Sequence, residues 1–150
     1  MKDLKIALRK PSSLKDYENN PRFNGHAVDA VVESIREFGF RNPILIDEND
    51  VIIAGHTRKK AAEILGLDKV PTIKISNLSD EQVAALRLAD NKTGELSEWD
   101  YEKLDEEIAG LRGLLDMTRF GFSMSEDEEP YPAEPENEHR GEIKCFPTLI

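Results

Sequence analysis

The stretch that most constrains the fold of this chain runs from Val51 to Ala62 and reads "VIIAGHTRKKAA". Its first residues are apolar and mostly β-branched, which favours a buried strand. Gly55 interrupts the apolar run, and the residues after it, about Thr57–Leu65, have the composition of a helix that ends at Gly66. A strand that passes through one glycine into a helix predicts a fold in which helices pack on a sheet.

The segments before this junction have clear periodicity. The segment Leu4–Lys10, "LKIALRK", alternates enough to predict a short strand, and Pro11 stops it. Between residues 25 and 40, apolar residues recur at three- and four-residue spacing and predict a helix that ends at Gly39. The residues of that apolar face are Val28, Val31, Val32, Ile35 and Phe38.

The middle of the chain predicts further strands. Two β-branched runs, Ile44–Ile46 and Val51–Ile53, are joined by the turn-forming residues "DEND". They therefore predict a hairpin or two neighbouring strands. The segment Val70–Ile75, "VPTIKI", is the next predicted strand.

The second half of the chain predicts two more helices. Ser79 is followed three residues later by Gln82, the pattern of a capping box, so a helix begins there, and we expect it to end near Asp90. Residues 97–100, "SEWD", predict a second N-terminus because acidic residues are favourable in the first turn of a helix. The resulting order of elements is β, α, ββ, α, β, α, α.

This order predicts an α+β fold with a small mixed β-sheet flanked by helices. Residues 1–122 are long enough for one domain that ends in a C-terminal helix. Residues 123–150 are rich in acids and prolines and poor in aliphatic residues, so we expect an acidic, flexible tail. The pattern leaves open the role of the tail, of its last residues "IKCFPTLI" and of the single Cys145.

Charge and hydropathy exclude several classes of protein. The chain has a net charge of −10, which argues against bulk electrostatic coating of nucleic acid. The first 75 residues nevertheless carry 13 basic and 11 acidic side chains, a net of +2, so this half could bind an anion. No apolar run is long enough to cross a membrane, and the basic start lacks the apolar core of a signal peptide. We therefore expect a soluble cytoplasmic protein that does not bind membranes.

The junction at Gly55 has the physical properties of a phosphate site. The first amides of a helix have no intrahelical partner and carry a partial positive charge. Thr57 could add a hydroxyl, and Arg58, Lys59 and Lys60 could add cationic donors that suit phosphate. The alternative is structural: the glycine only makes the turn, the threonine only caps the helix and the cations form a solvated face.

Short motifs along the chain carry a more specific signal. In order, they are "NNPR" (Asn19–Arg22), "FGFRNPILI" (Phe38–Ile46), "IIAGHTRKKAAEILG" (Ile52–Gly66), "VP" (Val70–Pro71) and "LADNKTGELSEWD" (Leu88–Asp100). Together they resemble the ParB/sulfiredoxin superfamily, and specifically the ParB-like N-terminal domain of chromosome-partition proteins and of many phage and methyltransferase-linked proteins. The resemblance covers about Leu4 to Asp100.

The resemblance implies a nucleotide pocket and a role for each matching residue. It implies CTP, as in partition proteins, or ATP or ADP, as in the sulfiredoxin and free-serine-kinase branches, together with Mg²⁺. It implies that Gly55, His56, Thr57 and Arg58 bind the phosphates and that Arg41 and Pro43 belong to the other wall of the pocket. In this arrangement Arg41 and Arg22 close over the phosphates. The resemblance also implies that Asp90 and Asn91 match the pair that helps to hold the metal.

Two departures from the family pattern bear on activity. Partition proteins typically have Gly-Glu-Arg-Arg where this chain has Gly55, His56, Thr57 and Arg58. Sulfiredoxin has a cysteine where this chain has His56, so sulfinic-acid reduction is not expected. Only one helix is predicted after Asp100, so the chain is not expected to contain the helix-turn-helix of partition proteins.

The resemblance leaves several functions open. The first is a nucleotide-binding module of a DNA-associated bacterial or phage protein, related to plasmid or chromosome partition, that contacts DNA directly or through a partner such as a methyltransferase, as a monomer or a homodimer. The second is a metal-dependent DNA nuclease, or a nucleotide hydrolase, with His56 and Asp90 as catalytic residues and Asp90 as metal ligand. The third is an interaction adaptor for a DNA-modifying partner. For His56, the alternative to a general base or phosphate donor is a side chain in solvent.

Overall fold

The described part of the chain folds into a four-stranded mixed sheet with four α-helices. The structure, a computed structural model, describes residues 3–22 and 25–123. In chain order, the elements of this part are β1 (Ile6–Arg9), α1 (Ala27–Phe38), β2 (Ile44–Ile46), β3 (Ile52–Ala54), α2 (His56–Ile64), β4 (Val70–Lys74), α3 (Asp80–Glu95) and α4 (Tyr101–Leu111). Short 3-10 helices lie at Pro11–Ser13 and Met117–Phe120. The predicted α+β class and the predicted order of elements are confirmed.

The sheet has the strand order β1-β4-β2-β3. The pairs β1/β4 and β2/β3 are antiparallel, and β2 pairs with β4 in parallel. The predicted hairpin between β2 and β3 is therefore confirmed. In its turn, the Asp47 side chain accepts hydrogen bonds from the backbone amides of Asn49 and Val51, at 2.8 and 3.0 Å.

The core forms on the face of the sheet against which α2 packs, and α1 packs in turn on α2. The core contains Leu14, Ile44, Ile46, Ile52, Ala62 and Val70, with Phe40 and Leu67 packed against it. Two alanines of α2, Ala61 and Ala62, are fully buried, which lets this helix approach the sheet closely. Because strand side chains alternate between faces, Ile53 points to the opposite face, and α3 contacts β3 there.

The predicted helix ends agree with the structure at most positions. Gly39 ends α1 with a φ of 80°, and Ser79 forms the predicted capping box with Gln82. Asp100 caps α4 by accepting a hydrogen bond from the amide of Lys103. Strand β3 is shifted by one residue from the prediction, to Ile52–Ala54, and α2 begins one residue earlier, at His56.

The prediction that the third helix ends near Asp90 is wrong. Helix α3 continues to Glu95, so Asp90 lies in its interior. Two polar side chains hydrogen-bond to carbonyl groups of this stretch. Asn91 Nδ2 donates to the carbonyl of Arg87 at 2.9 Å, and Thr93 Oγ1 donates to the carbonyl of Asp90 at 3.0 Å. The helix therefore carries Asp90 and Asn91 on a regular backbone.

The described chain ends against α1. Arg119 forms ion pairs with Glu33 and Glu37, at 2.8 and 3.3 Å, and the Phe38 and Phe120 rings lie 5.3 Å apart. The predicted acidic tail, 123–150, lies outside the described residues except for Ser123. Within the described residues, no helix is both long enough and apolar enough to span a membrane.

Candidate functional site

A cleft opens where β3 ends and α2 begins. Its volume is about 390 Å³, and residues of the loop 17–22, of the β3 end, of the first turn of α2 and of the middle of α3 line it. Three of the lining residues are arginines, Arg22, Arg58 and Arg87, and among the described residues Asp90 is the one carboxylate. The cleft is therefore locally cationic in a chain whose net charge is −10.

Gly55 shapes one side of this cleft. Its backbone has φ 111° and ψ 24°, a left-handed conformation that side chains rarely adopt. A Cβ atom built there would lie 3.0 Å from Nε of Arg58 and 3.1 Å from Cγ1 of Ile44. The glycine is thus required twice, by the turn and by the guanidinium that folds back over it.

Arg58 lies against Gly55 with its guanidinium largely buried. Its Nη1 donates a hydrogen bond to the carbonyl of Asn42 at 3.4 Å, while its buried Nε has no hydrogen-bond partner among the described residues. Burial lowers the pKa of Arg58, and the negative charge of Asp90 opposes that shift. Arginine remains protonated in proteins, so the cleft contains a charged donor that is partly desolvated.

Arg22 lies on the opposite side of the cleft. Its Nη1 donates to Oδ1 of Asn91 at 2.8 Å, which links the loop after the first 3-10 helix to α3. Burial lowers the pKa of Arg22, and Glu95 and Asp90 oppose this shift. The structure therefore brings Arg22 and Asn91, both predicted from sequence, to the same cleft as Gly55 and Arg58.

His56 faces the same loop. Its Nε2 accepts a hydrogen bond from the backbone amide of Tyr17 at 3.1 Å. Burial lowers the pKa of His56, which favours the neutral imidazole. The catalytic role predicted for His56 stays a prediction, and the Nε2 lone pair that a general base would need is engaged with Tyr17.

The basic residues Arg58, Lys59 and Lys60 lie in different surroundings. Thr57 is 3% exposed and lines the cleft with Arg58. Lys59 instead pairs with Asp16 at 3.1 Å and with Glu63 at 3.8 Å, and Lys60 is exposed. Successive residues of a helix point about 100° apart, so a run of three cations cannot face one ligand. The expectation that Lys59 and Lys60 join Arg58 at a phosphate is not met by this arrangement.

Arg41 and Pro43 do not line the cleft in this structure. Arg41 is exposed, and its Nε donates to the carbonyl of Phe38 at 2.6 Å, at the C-terminal end of α1. That carbonyl is one of the acceptors that a helix end leaves without an intrahelical partner, so it is available to the guanidinium of Arg41. The predicted position of Arg41 over the ligand would require this side chain to move.

Two residues of the cleft, Tyr17 and Arg87, were not identified from the sequence. Arg87 donates to the carbonyl of Ile52 and to Oδ2 of Asp47, both at 3.2 Å, and its guanidinium carbon lies 4.0 Å from the centre of the Tyr17 ring. It therefore ties α3 to the β2–β3 hairpin and to the loop. The available signal was its spacing, one helical turn before Asn91.

The described residues offer one acidic group for a metal in the cleft. No group of three or more His, Cys, Asp or Glu side chains within them is arranged to hold a metal ion. Asp90 is exposed at the rim of the cleft, and Mg²⁺ typically takes one or two carboxylates and completes its shell with phosphates and water. The donor set thus fits a magnesium ion that arrives with a phosphate ligand.

Sequence comparison relates the chain to proteins of chromosome and plasmid maintenance. The model of the ParB N-terminal domain matches residues 4–92. The "ParB-like nuclease domain-containing protein YnaK" of Escherichia coli (strain K12) is 50% identical over 80 residues, which cover 53% of this chain and 92% of that protein. The nucleoid occlusion protein of Listeria innocua serovar 6a (strain ATCC BAA-680 / CLIP 11262) is 37% identical over 99 residues, covering 63% of this chain and 33% of that protein.

Structure comparison shows the same fold in a protein of this kind. The C-terminally truncated chromosome-partitioning protein ParB from Caulobacter crescentus, solved in complex with CTP-gamma-S, superposes with a TM-score of 0.62. The sequences are 23% identical, and the match covers 79% of this chain and 66% of that chain. At this identity the likeness establishes the fold alone.

Proposed function

Because the chain belongs to the ParB N-terminal domain family, we propose that it is a nucleotide-binding module that takes CTP or ATP with Mg²⁺ and acts within a DNA-associated protein. The ligand of the cleft is then a nucleoside triphosphate. Its phosphates lie at the first turn of α2, between Arg58 and Arg22, and Gly55 and Thr57 provide close contact on the α2 side.

The buried Nε of Arg58 is the observation that carries this proposal. A buried charged donor without a partner is costly, since desolvation is not offset by a hydrogen bond. The atom lies 3.0 Å from where a Cβ of Gly55 would stand, and Gly55 precedes the first amides of α2, which lack intrahelical acceptors. A phosphate oxygen satisfies both kinds of donor at once, and the bond to an arginine is strengthened by charge.

The opposite side of the cleft supplies the remaining contacts. Arg22 adds a second guanidinium, and Asp90 adds the carboxylate that faces the metal. Asp90 would hold a Mg²⁺ ion that arrives with the phosphates, and the ion would neutralise part of their negative charge. The protein's own part is to hold two arginines and one acid on separate segments around the phosphates.

A ligand that contacts both sides at once would order the loop that carries Arg22. The bound nucleotide could then act as a switch for a second surface, since a ligand shifts a protein toward the conformation that it binds better. That surface could contact DNA, a DNA-modifying partner such as a methyltransferase, or a second copy of the chain. The solved ParB complex with CTP-gamma-S supports the choice of a nucleotide.

The test is calorimetric titration of CTP, ATP, GTP and their diphosphates, with and without Mg²⁺, into the wild-type protein and Arg58→Ala. We expect micromolar binding of one triphosphate and a loss of about tenfold or more in Arg58→Ala, as for the removal of a charged hydrogen bond. Absence of heat for every nucleotide in the folded wild-type protein would overturn the proposal.

Lys60→Ala is the matched control for that experiment. Lys60 lies two residues after Arg58 on the same helix but is exposed and does not line the cleft. Its removal lowers the net charge by the same amount, so affinity within about twofold of wild type separates a site-specific effect from a general electrostatic one. Equal losses in both variants would mean that Arg58 acts only through net charge.

A metal-dependent DNA nuclease is the second candidate, because the similar protein YnaK is named for a ParB-like nuclease domain. In that case Asp90 holds the metal that activates water at a phosphodiester. Nicking of supercoiled DNA with Mg²⁺ or Mn²⁺ that disappears in Asp90→Asn would support this function. If the protein neither binds a nucleotide nor nicks DNA, the favoured function is an adaptor that recruits a DNA-modifying partner.

A further inference from the structure

The loop 15–22, which carries Arg22, is attached to α2 by a hydrogen bond to His56 and by the ion pair of Asp16 with Lys59. The backbone amide of Tyr17 donates to Nε2 of His56 at 3.1 Å. The Tyr17 ring also stacks on Arg87, whose guanidinium carbon lies 4.0 Å from the ring centre. The same loop then continues to Arg22, whose Nη1 reaches Asn91 at 2.8 Å. The loop is thus fixed at Tyr17 before it crosses the cleft.

The hydrogen bond to Tyr17 fixes the protonation state of His56. A backbone amide can only donate, so Nε2 must present a lone pair, and the ring proton of the neutral imidazole lies on Nδ1. An imidazolium carries protons on both nitrogens and cannot accept this bond. Protonation of His56 would therefore set two donors, Nε2–H and the Tyr17 amide, against each other.

The charged groups around His56 act in both directions. On α2, Lys59 and Lys60 disfavour a positive imidazolium, and on α3 Arg87 does the same. On the loop, Asp16 favours the imidazolium, but it is also paired with Lys59 at 3.1 Å. Burial is the largest effect and lowers the pKa of His56 below its ordinary 6.5.

We propose that His56 is a positioning residue whose neutral imidazole holds Tyr17 and the residues after it, 17–22, against the cleft, and that its protonation releases this part of the loop and weakens anion binding. The inference deepens the proposed nucleotide site and rests on it only for the effect on affinity. The attachment of the loop itself is a property of the protein without ligand.

Two effects of protonation compete in the cleft. The added positive charge attracts phosphate, whereas release of the loop moves Arg22 away from it. Protonated His56 adds one positive charge, which at most replaces the charge of Arg22. After release of the loop, Arg22 and Arg58 no longer face the same ligand. We therefore expect weaker binding in mild acid, the opposite of the increase that charge alone would give.

The direction of the pH effect follows from the lowered pKa. Unfolded protein binds the His56 proton as pH falls through 6.5, and the folded protein binds it only at lower pH. The stabilisation due to the neutral ring is therefore fully present above pH 6.5. It is lost progressively as the pH falls from 6.5 through the folded pKa.

The first measurement is the nuclear magnetic resonance signal of the Tyr17 amide in ¹⁵N-labelled protein, followed from pH 8 down through the titration of the His56 ring. In the wild type we expect this signal to titrate together with His56 and its hydrogen-exchange protection to fall in acid. The side-chain amide signal of Asn91 should follow, because its Oδ1 accepts from Arg22. A Tyr17 amide that is insensitive to the titration of His56 would overturn the proposal.

Two variants of His56 separate positioning from a merely structural role. In His56→Gln, the amide oxygen can take the place of Nε2 but does not titrate, so the Tyr17 signal should stay protected at every pH. In His56→Ala the protection should be lost at every pH. His26→Gln, at an exposed histidine before α1 without a side-chain capping bond, is the control and should behave as wild type.

The second measurement is the affinity for CTP and for ATP with Mg²⁺ at pH 7.5 and at a pH below the folded pKa of His56, as the ring signals of His56 report it. At the lower pH we expect roughly fivefold weaker binding in the wild type than in His56→Gln, which shares any effect of the nucleotide's own protonation, and a similar loss at both pH values in His56→Ala. An affinity that rises in acid, or that falls equally in His56→Gln, would overturn the effect on the cleft.

The two measurements also separate this inference from the proposed function. Titration of the Tyr17 and Asn91 signals without any nucleotide binding would support the loop attachment while overturning the nucleotide site. In the opposite case, nucleotide binding is lost in Arg58→Ala while the Tyr17 amide is insensitive to pH and to His56→Ala. That result would support the nucleotide site and overturn the loop attachment.

Discussion

The first turn of α2 and the loop 15–22 face each other across the cleft, but different interactions hold them. Gly55 and Arg58 are three residues apart, and their arrangement follows from one left-handed backbone position and a helix start. Arg22 and Asn91 are 69 residues apart, and Tyr17 and His56 are 39 apart. One side is therefore fixed by local backbone geometry, whereas the other depends on contacts between distant segments, among them the hydrogen bonds of Tyr17 and Arg22 and the ion pair of Asp16 with Lys59.

This difference teaches that the two sides should respond differently to change. Damage to the α2 side strains the backbone and the core beneath it. Damage to the loop side releases a segment and leaves most of the sheet and its core intact. Substitutions on each side test this distinction, and those on the α2 side are expected to have the larger effects.

The largest effect is expected for Gly55→Ala. The new Cβ would meet Arg58 Nε at 3.0 Å and Ile44 Cγ1 at 3.1 Å, at a φ of 111°. Backbone strain and crowding together should lower the free energy of unfolding by about 3 kcal/mol. Urea denaturation measures this loss.

Gly110→Ala is the matched control for that prediction. Gly110 lies within α4, and a Cβ there would meet nothing within 4 Å. Alanine is the better helix former, so the variant should be as stable as wild type or up to about 1 kcal/mol more stable. Equal destabilisation by both substitutions would contradict the special role of Gly55.

An intermediate effect is expected for Arg87→Ala. The change removes the bonds to Asp47 and to the carbonyl of Ile52 and the stacking on Tyr17. Asp47, whose side chain is 16% exposed, would lose its cationic partner, and the unfolding free energy should fall by about 2 kcal/mol. Urea denaturation measures this loss. In hydrogen exchange, we expect the Tyr17 amide to lose protection while the amides of β2 and β4 stay protected.

Arg112→Ala serves as control for Arg87→Ala, since Arg112 is exposed at the end of α4. Its replacement should change the unfolding free energy by less than about 0.5 kcal/mol. Global loss of protection in Arg87→Ala, including the core strands, would mean that this residue supports the whole sheet and not one side of the cleft.

The smallest effect at neutral pH on the cleft itself is expected for Asp50→Asn. Asp50 lies in the same turn as Asp47, but its partners are Arg9 of the edge strand β1 at 2.9 Å and Lys74 of the inner strand β4 at 3.0 Å, and neither lines the cleft. Hydrogen bonds from Arg9 and then Lys74 lower the pKa of Asp50 from 3.8 to about 2. Nucleotide affinity and the Tyr17 amide should be unchanged.

Asp50→Asn should instead alter stability in acid. The folded pKa is lowered, so the stabilisation by Asp50 is present above pH 3.8 and is lost as pH falls from 3.8 toward 2. Urea midpoints of wild type and variant should therefore differ at neutral pH and converge near pH 2. A constant difference across this range would contradict the ion pairs.

The sequence predicts the elements of this protein well because their signals are local. The periodic face of α1, the capping box of Ser79 and Gln82, and the turn at Asp47 each depend on residues a few positions apart. The end of α3 was predicted too early because Asn91 and Thr93, which often end helices, here hydrogen-bond to carbonyls one turn or less before them. Polar side chains near a helix end can act either way, and the local sequence does not decide.

The candidate site was predicted in part. The sequence identified Gly55, Thr57 and Arg58, and the resemblance added Arg22 and Asn91, which the fold brings to one cleft. Arg41 was expected at the cleft but lies on the carbonyl of Phe38, and Arg87 was not expected there at all. Long arginine side chains reach several alternative partners, so their position in the chain does not fix the position of the charge.

The sequence by itself determined the strand, the glycine and the helix start that make the α2 side of the cleft, because backbone conformation and helix-end amides depend on neighbouring residues. The tertiary structure alone decided what faces that side. The pairing of β2 with both β3 and β4, and the packing of α3 on β3, bring Tyr17, Arg22 and Arg87 together from distant segments. Contacts across such separations depend on how all the elements pack, so no short stretch of sequence encodes them.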